Sequence, residues 1–128
     1  MIDISDVLSI HKILIEKFGG AEGVRDYSAL SSAIQRPFQT FDNINVYTSI
    51  VEKASALIES ILINHPFIDG NKRTGYVLLR RYLIQNNLDI SATEQEKYEF
   101  VISIASGEYK FSEIVLWLSN HTVKINGL

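Results

Sequence analysis

Apolar positions at helical spacing divide the chain into about six helical segments. Val7, Ile10, Leu14 and Phe18 form the first stripe, with Asp3 or Ser5 placed to cap it and Gly19-Gly20 to end it. His11 and Lys17 fall at or beyond the edges of that stripe. Ser28 is placed to cap a short second helix, which Pro37 stops near Arg36. Residues 37–45 read as a loop or short hairpin, in which Phe38 and Phe41 flank a polar tip at Asp42-Asn43. From about Val46 to Asn64, Ile50, Ala54, Leu57 and Ile61 define one helix face, and Val51, Ile58 and Leu62 widen it. A stripe that broad predicts burial against several partners. Tyr76 to Ile84 is apolar nearly all round except at Arg80 and Arg81, and makes a second central helix ending at Asn86-Asn87. Thr93 and Glu96 form a capping box for a helix reaching about Ala105, which Gly107 ends. Ser112 is placed to cap a last helix carrying Ile114, Trp117 and Leu118. Strand signals are weak, so the expected class is all-α: one domain over 1–128, with 121–128 a loosely ordered tail.

Composition narrows the possibilities. A chain of 128 residues with 46% hydrophobic content suits a single core. The net charge of -3 offers no global basic field for nucleic acid, and no direct DNA partner is expected. The absence of cysteine excludes disulfides, thiolate nucleophiles and cysteine-based zinc sites. Neither a signal peptide nor a membrane-spanning run is evident, so a soluble, cytoplasmic protein is expected. One stretch departs from the acidic average. Between His65 and Arg81, Lys72, Arg73, Arg80 and Arg81 against Asp69 leave a local charge of +3. That pattern suits a discrete anionic ligand better than a long polyanion.

The chemistry concentrates in His65-Pro66-Phe67-Ile68-Asp69-Gly70-Asn71-Lys72-Arg73-Thr74-Gly75, at the junction of the two central helices. Pro66 takes His65 out of helical geometry, placing a potential base at a helix end. Asp69-Gly70 is a good turn pair, and Asp69 is also a chemically reasonable Mg²⁺ ligand; spacing alone does not choose between these roles. Lys72 and Arg73 fall in the first turn of the next helix, where unpaired N–H groups make cations unfavourable by about 0.3–1 kcal/mol each. An anion bound there reverses the sign, because N–H groups, dipole and side chains then all favour it. Asn71 and Arg73 are expected to face the cleft. Gly75 costs about 1 kcal/mol relative to Ala inside a helix, which points to close helix packing.

This motif resembles that of the Fic/Doc family, whose Fic form reads His-x-Phe-x-[Asp/Glu]-Gly-Asn-x-Arg. It is most similar to the Doc (death-on-curing) branch, which has Asn-Lys-Arg-Thr where adenylylating Fic enzymes have Asn-Gly-Arg. Phe18-Gly19-Gly20, Gly23-x-Arg25-Asp26, Leu30, Ala33 and Arg36-Pro37 resemble the Doc opening, and Ala105-Ser106-Gly107-Glu108 with Trp117-Leu118 its close. The resemblance implies the compact Fic/Doc helical bundle, with residues near 37–47 as a flap for the target. It implies His65 as the catalytic base, Asp69 as the Mg²⁺ ligand and Gly70 and Asn71 as an anion hole. Arg73 joins the phosphate-binding set and Phe67 becomes the loop's buried anchor; Lys72, counted with the phosphate-binding residues, could reach a more distal phosphate or a protein partner. Where adenylylating enzymes carry a second arginine, this chain has Tyr76. With Lys72 replacing Gly, that difference disfavours attack on the α-phosphate. The implied activity is a toxin kinase that uses Mg²⁺ and ATP to phosphorylate a Ser or Thr hydroxyl of an elongation factor Tu-like translation factor, arresting translation. The implied partner is a small, Phd-like antitoxin acting in trans, since Ser55–Glu59 and Thr48–Glu52 match the self-inhibitory helix pattern only in part. Protein nucleotidylation (AMPylation) and a nonenzymatic binding module are the competing expectations.

Overall fold

The computed structural model describes residues 1–125. Six α-helices run in chain order: α1 (Ile4–Phe18), α2 (Tyr27–Gln35), α3 (Ile50–Asn64), α4 (Asn71–Gln85), α5 (Glu94–Ala105) and α6 (Phe111–His121). Two antiparallel strand pairs accompany them: β1 (Thr40–Phe41) with β2 (Ile44–Asn45), and β3 (Leu88–Ile90) with β4 (Thr122–Lys124). The all-α class holds, and the helix ends explain most of what differs from expectation.

α3 is the centre of the molecule and packs against α2, α4, α5 and α6. Its run from Ala54 to Ile58 is buried without a break, as its wide apolar stripe predicts. It starts at Ile50, later than the apolar pattern from Val46 suggests. Ser49 caps it, accepting the Glu52 N–H at 3.0 Å while the Glu52 carboxylate accepts the Ser49 N–H at 3.2 Å. Residues 46–48 instead lead out of the β1–β2 hairpin, whose tip residues Asp42 and Asn43 both have positive φ. The hairpin exposes Phe41, Ile44 and Val46 to solvent.

α4 crosses α3 at close range. A Cβ on Gly75 would lie 3.0 Å from Leu62 Cδ2 and 3.3 Å from Ile61 Cγ2, so the glycine permits the approach. α2 is capped by Asp26, which accepts the Ala29 N–H at 3.0 Å; Ser28 lies inside the helix. α2 ends at Gln35, and a 3-10 turn over Arg36–Phe38 carries Pro37, as the proline rule requires. α5 keeps its Thr93–Glu96 capping box. α6 begins one residue before Ser112, and Glu113 accepts the Lys110 N–H at 2.8 Å. Trp117 joins α5 to α6 by stacking between Phe100 and His121, at ring distances of 3.9 and 4.0 Å. The tail expected over 121–128 is anchored where it is described. His121 closes α6, and Thr122–Lys124 pair with Leu88–Ile90. The last three residues lie outside the described part.

Candidate functional site

α3 delivers His65 to the site. His65 donates its N–H to Ile61 O at 3.2 Å and then turns left-handed, with φ 47° and ψ 60°. Pro66 does take it out of helical geometry, into the left-handed region. A residue with a Cβ is strained there, so the turn needs support from its surroundings. Arg25 supplies it. Its guanidinium donates to Asn64 O at 2.6 Å and to His65 O at 2.7 Å, adding a cation to the negative end of α3. The backbone around Arg25 straps the loop as well. Arg25 and Asp26 donate N–H groups to Pro66 O, Ile68 donates to Gly23 O, and Val24 bridges to Phe67.

Phe67 is the loop's buried anchor, at 1% exposure. The Asn71 amide brackets its backbone, accepting the Phe67 N–H and donating to the Phe67 carbonyl, both at 3.0 Å. The Asn71 side chain therefore shapes the loop, and its backbone N–H at the start of α4 is what it offers an anion. Beneath Phe67 lies His11, stacked on the ring at 3.9 Å with planes 7° apart. The apolar pattern puts His11 at the margin of α1; it is in fact buried at 4% exposure, and Phe18, placed in the stripe, is 52% exposed.

Asp69 lies at the turn. Its carboxylate accepts the Gly70 N–H at 2.8 Å and the Ala21 N–H at 3.2 Å. A Cβ on Gly20 would come within 2.8 Å of the Asp69 carboxylate, so the Gly19-Gly20 connector is shaped to fit against it. Gly70 then caps α4 with φ 75°; the helix has no side-chain cap and no acidic residue in its first turn. Lys72 and Arg73 are exposed on that turn. Among the described residues Lys72 pairs with no carboxylate, while the Arg73 guanidinium lies 4.1 Å from the centre of the Phe18 ring. The exposure of Phe18 thus has a use: it steers Arg73.

His65, Asp69, Gly70, Asn71, Lys72 and Arg73 all line one cleft of about 800 Å³ between the loop, α4 and α5. Tyr76, Val77 and Arg80 continue the α4 wall; Lys97, Tyr98, Val101 and Ile102 form the opposite one. Arg80 is held in a two-point pair with Asp89 at 2.9 and 3.1 Å. The hydrogen bonds of that pair raise the arginine pKa and lower that of Asp89. Half-burial pushes the Tyr76 hydroxyl up, so it stays neutral and offers a donor instead of the cation that a second arginine would bring. Among the described residues no group of three or more His, Asp or Glu side chains converges as a metal cage. Asp69 is thus a single carboxylate, a donor set that fits Mg²⁺ held chiefly by phosphate and water and does not fit a structural metal.

His11 and Arg25 are the residues that sequence reasoning missed as supports of this site. The signal for Arg25 was its place beside Asp26 in the opening; for His11 it was a polar residue four positions from both Val7 and Ile15 on one helix face.

A helical core whose two central helices meet at a His-Pro-Phe-x-Asp-Gly-Asn-Lys-Arg loop, with the second helix lacking a side-chain cap at its N-terminus, defines the class of protein: a helical scaffold built around a motif loop and the cleft it lines. The particular family follows from comparison. The Fic/DOC family model matches residues 1–83, and the protein named Toxin Doc from Mycolicibacterium smegmatis (strain ATCC 700084 / mc(2)155) is 37% identical over 91 residues, covering 71% of this chain and 68% of its own. The chain belongs to the Fic/Doc family. No helix among the described residues is long and apolar enough to cross a membrane.

Proposed function

We propose that this protein is a Doc-like toxin kinase that transfers the γ-phosphoryl group of ATP to a Ser or Thr hydroxyl of a translation factor resembling elongation factor Tu. The observation that carries this reading is the start of α4. It opens at Gly70 without a side-chain cap, bears Lys72 and Arg73 in its first turn, and shares a cleft with His65. Free N–H groups, a helix dipole and two cations at one point suit phosphate. The similarity to the M. smegmatis protein named Toxin Doc supports the toxin role.

In this reading the Asn71 N–H, Lys72 and Arg73 hold the phosphate oxygens, and the Gly70 N–H joins them if it leaves the Asp69 carboxylate. Asp69 would hold Mg²⁺, which when bound neutralises charge on the phosphates. His65 takes the proton of the target hydroxyl as its oxygen bonds to the γ-phosphorus; the bond from that phosphorus to the bridging oxygen breaks, and ADP leaves. The neutral Tyr76 and the cationic Lys72 favour the γ-phosphate over the α-phosphate. Activity in the cytoplasm and restraint by a small antitoxin bound in trans belong to the same proposal. Incubation with a translation factor and ATP labelled at the α or the γ position tests it. Label from γ alone is expected, and label from α alone would reject the kinase reading in favour of nucleotidyl transfer.

A further inference from the structure

His11 is the one polar side chain that α1 buries, and an apolar residue of similar size would fill its place. What the imidazole adds is a hydrogen bond. Its Nε2 lies 2.9 Å from the carbonyl oxygen of Asp69. A carbonyl can only accept, so Nε2 carries the proton and donates. The acceptor matters because of the peptide it belongs to. The Asp69 carbonyl and the Gly70 N–H are opposite ends of one trans peptide plane, and they point in opposite directions. Holding the carbonyl inward therefore aims the Gly70 N–H outward, where it meets the Asp69 carboxylate at the mouth of the cleft.

An Asp-Gly peptide is one that turns over easily, because glycine accepts either sign of φ. Turning it over would point the carbonyl oxygen at the anion site and bury the N–H. Gly70 has φ 75°, and the position of its missing Cβ lies 3.8 Å from His11 Nε2, so the imidazole is directly behind the turn. The ring is fixed in turn by stacking on Phe67, itself bracketed by Asn71.

We propose that His11 is a positioning residue that locks the Asp69–Gly70 peptide with its N–H facing the cleft, keeping the loop ready for phosphate. The consequence for phosphate rests on the phosphate reading of the cleft; the lock does not. His11→Phe keeps a ring against Phe67 and removes the donor, whereas His11→Gln removes the ring and keeps a donor of similar reach. Amide exchange at Gly70 and Asn71, followed by NMR on the full chain, reads the lock without a ligand, and calorimetry with Mg·ATP reads its consequence. In His11→Phe, exchange at Gly70 should rise and Mg·ATP affinity should fall, each by about tenfold, the scale of one buried hydrogen bond. His11→Gln should restore most of both. Wild-type exchange in His11→Phe, or His11→Gln as impaired as His11→Phe, overturns the lock. A wild-type protein that does not bind Mg·ATP overturns the phosphate reading instead, and leaves the exchange data to judge His11. If His11→Phe fails to fold, the His11→Gln exchange profile decides alone: wild-type protection supports the lock and its loss overturns it.

Discussion

Two kinds of helix start coexist in this protein. α3 and α5 begin with full capping boxes, Ser49 with Glu52 and Thr93 with Glu96, in which a hydroxyl and a carboxylate satisfy orphan N–H groups and place negative charge at the positive end. α4 begins with Gly70, has no side-chain cap, and puts Arg73 where the other two have the glutamate of the box, with Lys72 just before it. The difference cannot come from the fold's general needs, since α3 and α4 are neighbours in the same core. A start that breaks the local rule in this way, with cations in place of a cap, is what the proposed phosphate site would need, because a bound anion would complete it.

The comparison breaks hardest at the residue the open start serves. His65→Ala removes an exposed side chain and leaves the loop's backbone anchors in place, so the melting temperature should hardly move. Transfer of labelled phosphate should fall by about 10²–10⁴-fold, the usual contribution of a general base. Mg·ATP affinity should stay within a few-fold of wild type. Full transfer by His65→Ala would remove His65 from the chemistry.

Next in size is Gly70→Ala. The new Cβ must adopt φ 75° and would meet Ile15 Cδ1 at 3.1 Å. Positive φ alone makes the substitution unfavourable by about 1–2 kcal/mol. Both denaturant stability and Mg·ATP affinity should drop. A stable variant with unchanged affinity would mean that the left-handed cap is dispensable.

How much of this contrast the sequence made visible depends on the kind of signal each residue sends. The α4 start was legible in Asp69-Gly70 and the misplaced cations because those are local features, and so was the Thr93–Glu96 box. The α3 start lies later than the apolar pattern suggests, because Val46 continues that pattern although it pairs back onto Gln39 beside the hairpin; Ser49 with Glu52 is the decisive cap. Asp26 outcompeted Ser28 as the α2 cap for the same kind of reason, since both residues can accept an N–H and only tertiary contacts choose. His11, Arg25 and the pairing of Thr122–Lys124 with Leu88–Ile90 depend on residues far apart in the chain, which periodicity along one helix cannot report.

The capped starts supply a control of smaller effect. Ser49→Ala and Thr93→Ala should each cost about 1 kcal/mol in urea unfolding and leave Mg·ATP binding as it was. Acid should act on the same helix ends. Hydrogen bonds from Thr48 and Ser49 hold the Glu52 carboxylate below its ordinary range, and bonds from Thr93 do so for Glu96. A lowered folded-state pKa means that this stabilisation is complete above the unfolded value and is lost as pH falls through the folded one. Amide exchange in the first turns of α3 and α5 should therefore rise below about pH 4.3, the unperturbed glutamate value.

Lys72→Gln gives the smallest effect and the sharpest test of the contrast, because two readouts should move in opposite directions. Lys72 has no carboxylate partner among the described residues and stands next to the positive end of α4, so in the free protein its charge is unfavourable. Glutamine is nearly as good a helix former and removes that charge, which should raise unfolding stability by about 0.3–1 kcal/mol. The same change takes a cation from the phosphate site, so Mg·ATP affinity should fall a few-fold and depend less steeply on salt. A merely solvated lysine would change neither quantity. A lysine held by a contact within the fold would lower stability when lost. Only a cation kept for a ligand, at the expense of the helix that carries it, stabilises the free protein by its removal and weakens the complex.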